Sequence, residues 1–201
     1  MITTTSTFQQ TRYMVRRKIF KIFGGAFHIY SPEGNVLAYS KMKAFKLKED
    51  IRIYTGEDMA HELLVIQARQ IIDFSAAYDV FDPVAGVKVG ALRRKGLKSA
   101  LIRDEWMILD PSDQQIGLVH EDSTGMAVLR RYVPFMALIF PQSYSVEIAG
   151  RPAAIFKQNF NPFVYKLNVD LSYDEQGLLD RRLAMAAAVL LAAIEGKQQN
   201  N

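Results

Sequence analysis

The residues of this chain that could do chemistry are mainly its lysines and arginines, which crowd two segments. Residues 1–48 hold nine Lys and Arg side chains and a single acid, Glu33, whereas the rest of the chain is slightly acidic. A second group of six basic residues lies within 88–103, with no acid between them. Clustered cations attract phosphate groups on a lipid surface or a nucleic acid, although a solvated protein face has the same composition.

Strand geometry limits how many of these cations can act together, because neighbouring residues on a strand point to opposite faces. We expect only part of each cluster to share a face, and we predict that the two parts lie near each other and bind anionic lipid headgroups. Membrane attraction is about 1 kcal/mol per basic residue, so one cluster alone would bind weakly. The predicted headgroup-binding residues are Arg12, Arg16, Lys18, Lys41, Lys43, Lys88, Arg93 and Lys95.

The sequence patterns of enzymes and metal sites are missing. There is no nucleophile elbow, phosphate loop or zinc-protease motif. The chain has no cysteine, and its three histidines are scattered without metal-ligand spacing. Asp82 and Asp110 could act as paired acids, but each precedes a proline at a turn, where Asp caps backbone N–H groups. We predict a non-enzymatic protein without a cofactor or metal, with an enzyme acting in a surface groove as an alternative.

The elements that would position these residues are mostly short strands, rich in Val, Ile, Tyr and Phe and bounded by turn residues. Hairpins recur, and Gly34 and Gly86 can adopt the left-handed conformation that restores strand register. About a dozen such strands predict a mainly β fold, a closed antiparallel barrel. The predicted strands run over 13–18, 26–30, 35–43, 50–54, 63–73, 78–81, 87–94, 101–109, 115–120, 144–148, 152–158 and 163–169.

The C-terminal segment changes to a helical pattern. Ser172 to Glu175 has capping-box spacing, helix formers follow from Leu178, and Gly196 is expected to end the helix. Its stretch Leu183–Ile194 has twelve residues, six of them alanine, and no polar side chain.

A helix that is apolar on every side must be buried on every side. Twelve residues span about 18 Å, which is short against a bilayer core of about 30 Å. We therefore place this helix inside the barrel, with a membrane-spanning helix as the weaker alternative. The predicted core residues of the helix are Leu183, Ala187, Ala188, Leu190, Leu191 and Ile194.

Domain boundaries follow from these patterns. Residues 1–11 are expected to form a disordered polar tail, 12–196 a single barrel domain, and 197–201 a second tail. A short helix is predicted over 126–131, ended before Pro134. The N-terminus lacks the pattern of a signal peptide and cysteine is absent. We therefore expect a cytoplasmic protein, peripheral to a membrane where its basic surface binds lipid.

Six short stretches carry a resemblance to a known family: Phe27–Gly34, Ala68–Phe74, Tyr78–Asp82, Val89–Lys95, Arg103–Asp110 and Leu179–Leu183. In this order they resemble the LURP-one-related proteins, members of the tubby C-terminal-like superfamily together with the phospholipid scramblases. The resemblance covers roughly residues 12–195 and implies a twelve-stranded barrel threaded by the C-terminal helix. It implies two functions: phosphoinositide binding through basic residues on the barrel, as in tubby domains, or calcium-dependent lipid movement, as in scramblases.

The calcium segment of the scramblases is rich in Asp and lies just before the C-terminal helix. The stretch at that place here, Lys157–Asp170, has one carboxylate, whereas Ca²⁺ prefers several oxygen ligands. We therefore expect no calcium site, and a membrane-inserted scramblase-like protein stays the alternative reading. The basic clusters are not accompanied by a DNA-recognition helix or an aromatic RNA-binding motif, which argues against nucleic acid as the partner. The expected partner is an anionic membrane surface or another protein.

Overall fold

The structure, a computed structural model, describes residues 7–18, 25–42, 50–69, 76–95, 105–122, 142–159 and 164–198. These residues form twelve strands and one long helix. The strands are β1 (Arg12–Lys18), β2 (Gly25–Tyr30), β3 (Val36–Met42), β4 (Ile51–Tyr54), β5 (Glu62–Ala68), β6 (Ala77–Asp82), β7 (Val87–Arg94), β8 (Glu105–Leu109), β9 (Gln115–Glu121), β10 (Ser143–Ile148), β11 (Arg151–Asn159) and β12 (Val164–Asp170), and the helix is α1 (Arg181–Gln198).

The strands form a closed antiparallel barrel, as predicted. Each strand pairs with its neighbours in the chain, and β1 pairs with β12. The closing pair keeps one register, from Arg12 opposite Asp170 to Lys18 opposite Val164. The hairpin glycines behave as expected, since Gly34 and Gly86 have φ angles of 87° and 67°, a region that side chains with a Cβ rarely occupy.

Helix α1 fills the barrel and forms the centre of the core. All twelve residues of Leu183–Ile194 are buried, and each is at most 8% exposed, which confirms the predicted central helix. A close approach occurs at Gly90 on β7. A Cβ at this position would lie 3.1 Å from Leu183 Cδ2 and would overlap the carbonyl oxygen of Leu109 on β8. Glycine at 90 therefore lets β7 lie against both the helix and the next strand.

The ends of the helix differ from the prediction. Helix α1 starts at Arg181, where Asp180 Oδ1 accepts the Arg182 N–H at 2.8 Å. The predicted capping box, Ser172 to Glu175, is wrong because the helix begins only at Arg181. Within that stretch, Asp174 closes a turn by accepting the N–H groups of Leu178 and Leu179. The helix also continues through Gly196 to Gln198.

One end of the barrel has all of its connections within the described residues. The strand directions bring the connections 31–35, 55–61, 83–86, 110–114 and 149–150 to one end, together with the segment 171–180 that leads into the helix. We call this the turn end. The segments 19–24, 43–49, 70–75, 96–104, 123–141 and 160–163 lie outside the described residues, as does the predicted helix 126–131.

The chain before β1 packs against the turn end. Thr7 is fully buried, and Phe8 contacts the core. The Thr11 carbonyl accepts the Leu171 N–H at 2.7 Å, and the Gln10 carbonyl accepts a hydrogen bond from Arg181. Residues 7–11, expected in a disordered tail, are therefore part of the barrel's contacts, and residues 1–6 lie outside the described part.

Candidate functional site

The two predicted basic clusters lie on opposite sides of the barrel. The first cluster is on β1 and β3, the second is on and just after β7, and β1 and β7 are six positions apart in a ring of twelve strands. Our prediction that the clusters meet is therefore wrong. Each strand pairs with the next strand in the chain. Strands six places apart in chain order therefore lie on opposite sides of the barrel.

Two lysines of the second cluster, Lys88 and Lys95, are paired with acidic neighbours. Lys88 Nζ lies 3.0 Å from Asp79 and 2.8 Å from Asp113, and Lys95 Nζ lies 2.7 Å from Glu105. The predicted residue Arg93 is half-buried on the outer wall. These two lysines bind the protein's own carboxylates, so within the described residues neither of them is a free cation.

Four side chains make a connected ion network on this side of the barrel. Arg69 donates to both carboxylate oxygens of Asp79 and also to Asp113, and Lys88 contacts the same two acids. Hydrogen bonds from Lys88 and then from Arg69 lower the pKa of Asp113 to about 2. Partial burial raises the pKa of Asp79, but hydrogen bonds from Arg69 and Lys88 outweigh it, and the net shift is downward. The network ties the turn 110–114 to β6 and β7.

The first cluster is divided by strand alternation, as expected. Arg12 Nε donates to Asp170 at 3.1 Å, so it is already paired. Arg17 points into the barrel, where it is 2% exposed and its guanidinium carbon lies 5.8 Å from the Phe27 ring centroid. Burial lowers the pKa of Arg17. Lys18 ends β1 opposite Val164, but its side chain and the whole of Lys43 lie outside the described part.

A different group of cations comes together where the barrel closes. Arg16 on β1 pairs across the strands with Lys166 on β12 and with His28 on β2. Lys41 is exposed on β3, and Lys157 is exposed on β11. We call Arg16, Lys41, Lys157 and Lys166 the basic face.

The basic face has no carboxylate of its own within the described residues. None of its four cations makes an ion pair there, and the buried Nε of Arg16 has no hydrogen-bond partner. The neighbouring acids are already engaged: His28 contacts Glu57 at 2.6 Å, and Arg12 donates to Asp170 at 3.1 Å. Like charges directly opposite each other on neighbouring strands are unfavourable. An anion bound between Arg16 and Lys166 would therefore relieve a repulsion and satisfy a buried donor.

Two of these four residues, Lys157 and Lys166, are absent from the predicted set. Their segment, Lys157–Asp170, holds two lysines and one aspartate, so its charge does not mark a basic cluster. They join Arg16 because β12 pairs with β1, and no local pattern in the sequence announces a contact between strands about 150 residues apart. These two lysines could be identified only from the pairing of β12 with β1 that closes the barrel.

Two residues considered as catalytic acids serve the turns instead. Asp110 Oδ1 accepts the N–H groups of Ser112 and Gln114, and Asp82 Oδ1 accepts those of Val84 and Ala85. Trp106, the single tryptophan of the chain, is in the core.

A small cavity lies inside the barrel. An apolar cavity of about 10 Å³ lies between the helix and the β7–β9 wall, lined by Leu92, Trp106, Val119, Ala187, Leu190 and Leu191. That volume is about the minimum for one water molecule, and the lining has no polar atom to hold it. Over the same described residues, no group of three His, Asp or Glu side chains is placed to hold a metal ion.

Comparison of the chain with protein-family models, curated proteins and solved structures gives no significant match. Among the described residues, no helix combines the length and the hydropathy needed to cross a bilayer.

Proposed function

We propose that this protein is a non-enzymatic barrel domain that binds anionic phospholipid headgroups through the basic face. The observation that carries the proposal is the Arg16–Lys166 pair: two cations on adjacent strands, without a carboxylate among the described residues, one of them with an unpartnered buried donor. A phosphate oxygen is a strong acceptor for such donors. Lys41 and Lys157 extend the positive surface on either side.

The strength of binding follows from the number of charges. Four basic residues at about 1 kcal/mol each contribute about 4 kcal/mol, which corresponds to a dissociation constant near 1 mM. Binding is then weak and reversible, and it should fall steeply with salt, because exposed charges are screened beyond about 8 Å at physiological ionic strength. We expect it to need no calcium.

Sedimentation with vesicles tests the proposal. The protein should sediment at low salt with phosphatidylcholine vesicles that contain phosphatidylserine, and stay in solution with phosphatidylcholine alone. Chelation of calcium should leave the result unchanged. Lys166→Glu should abolish sedimentation and also raise the thermal midpoint, because it gives Arg16 a carboxylate partner.

Lys95→Glu is the matched control. It changes the net charge by the same amount on the other side of the barrel, where Lys95 now pairs with Glu105. If both variants lose binding equally, only net charge matters and the basic face is not the site. A wild-type protein that does not sediment with anionic vesicles at low salt would refute the proposal.

A further inference from the structure

The turn end of the barrel collects the exposed apolar side chains of the described residues. Every large hydrophobic residue that is exposed lies there, and the outer wall of the barrel has none in the described part. Val84, at the tip of its turn, is 65% exposed. Grouped apolar exposure of this kind marks an interaction surface, whereas single exposed residues are ordinary. The six residues are Val36, Met59, Val84, Val87, Tyr173 and Leu178.

The same end is strongly acidic. The six connections of the turn end contain eight carboxylates and not one Lys or Arg. Two of them, Asp113 and Asp180, are paired with cations that other elements supply. The other six have no Lys or Arg partner within the described residues. They are Glu33, Glu57, Asp58, Asp110, Asp174 and Glu175.

Acidic and apolar side chains coincide on one part of this end. The neighbouring turns 31–35, 55–61 and 83–86 carry Met59 and Val84 together with Glu33, Glu57 and Asp58, and Val36 and Val87 are the first residues of the strands that follow two of these turns. We call the four apolar residues the rim patch. The cations of this end that lack a carboxylate partner, Arg151 and Arg181, bond to Gln176 and Gln10 on the side of β11 and β1.

Met59 is held in an unfavourable backbone conformation within the rim patch. Its φ is 54°, in the left-handed region, where a residue with a Cβ costs roughly 1–2 kcal/mol. The side chain is 40% exposed, so packing in the core does not account for it. Glycine would suit this backbone better, which indicates that the thioether side chain itself has a use. Methionine adapts its shape readily to a bound apolar surface.

Hydrogen bonds hold two of the three turns beside the rim patch in place, and a preordered surface lowers the entropic cost of binding. Asp82 fixes the turn 83–86 through two backbone N–H groups and is itself tied to Arg182 of the helix. In the neighbouring turn, the Met59 N–H donates to the Gly56 carbonyl, and Asp58 accepts the Ala60 N–H.

We propose that the rim patch docks a basic, amphipathic segment of another protein. The partner's apolar residues would cover Met59, Val84 and Val87, and its lysines or arginines would face Glu33, Glu57 and Asp58. Charge complementarity selects this occupant, because the same carboxylates repel an anionic membrane or a nucleic acid, and a second rim patch of this chain as well. The site is independent of the basic face.

The probe is a synthetic peptide in which lysine and leucine alternate at helical spacing, with a peptide carrying glutamate in place of lysine as its control. Titration of the lysine peptide into isotopically labelled protein should shift the backbone amide signals of 31–36, 55–61 and 83–87. The double variant Met59→Ser and Val84→Ser, both at exposed positions, should bind about tenfold more weakly. Lys166→Glu should bind the peptide as wild type, which separates this site from the basic face.

Met59→Gly distinguishes a binding role from a structural one. It should raise the thermal midpoint, because the backbone strain is relieved, and should nevertheless weaken peptide binding. Binding that Met59→Gly leaves unchanged, equal shifts from the glutamate peptide, or shifts elsewhere on the barrel would overturn the proposal. Sedimentation equilibrium that shows a dimer abolished by Val84→Ser would overturn it too, in favour of a second copy of this chain.

Discussion

Arg182 Nη1 in the first turn of the helix lies 2.8 Å from Asp82 Oδ2 at the end of β6, and this contact joins residues 100 positions apart. The other carboxylate oxygen of Asp82 caps the turn that follows β6. Burial raises the pKa of Asp82, but hydrogen bonds from Ala85, Arg182 and Val84 outweigh it and the net shift is downward. One carboxylate therefore fixes both a hairpin and the place where the helix enters the barrel.

Arg182→Met should lower the free energy of unfolding by about 2 kcal/mol, because Asp82 and Asp180 both lose their cation while Asp82 stays mostly buried. For a chain of this size the thermal midpoint should fall by about 4–8 °C. Arg93→Met is the control, since Arg93 makes no ion pair within the described residues. Equal midpoints for the two variants would show that the Asp82–Arg182 contact does not hold the helix.

Ala188→Asp should unfold the protein. Ala188 is completely buried on the central helix, and an unpaired buried charge costs about 4 kcal/mol or more, a large part of the stability of a domain. The same exchange at the exposed turn residue Ala60 should leave the circular dichroism spectrum and the denaturant midpoint almost unchanged. A soluble Ala188→Asp protein with a native spectrum would contradict the enclosed helix.

Gly90→Ala should destabilise the barrel by roughly 1–3 kcal/mol through overpacking. The new methyl group would meet both Leu183 and the Leu109 carbonyl. Because the second contact is with backbone, the double variant Gly90→Ala and Leu183→Ala should be less stable than either single variant. If the double variant is more stable than Gly90→Ala, the steric clash is with Leu183 of the helix alone. Gly56→Ala, whose methyl would have only Asp58 near it at 3.3 Å, is the neutral control.

Stability should fall in acid partly through Asp113. Its pKa is about 2 in the folded protein against an ordinary value of 3.8. A group with a lowered folded pKa contributes stability above its unfolded pKa and loses it as the pH falls through the folded pKa. The loss should therefore lie between about pH 4 and pH 2. Urea midpoints across this range should fall less for Asp113→Asn than for wild type, whereas Glu175→Gln should follow wild type.

The strands and the helix could be predicted because each carries its own local signal. Alternating apolar residues and turn residues mark all twelve strands, and the uninterrupted run Leu183–Ile194 marks the central helix. The helix start was predicted wrongly because Ser172, Asp174 and Asp180 are all competent caps, and only the folded contacts decide among them. Asp174 closes a turn, and Asp180 caps the helix.

The candidate site could be predicted only in part, because it depends on which strands meet. Arg16 and Lys41 were predicted, but Lys157 and Lys166 lie beside Arg16 only because β12 pairs with β1 and with β11. The same reason explains why Lys88 and Lys95 were predicted as free cations. Their partners Asp79, Asp113 and Glu105 lie across strands or turns, and charge counted along the sequence does not show such pairing.

Closure of β1 on β12 also sets the order in which this chain can fold. Arg12 and Asp170, bonded across the seam, are 158 positions apart. The helix that fills the barrel follows both strands, so eleven hairpin pairings can form before any of the sheet's inner face has its central partner. Contacts between residues so distant in sequence form slowly. Until the helix leaves the ribosome, the apolar inner wall lacks its central partner, and exposed apolar surface of this kind is prone to aggregation.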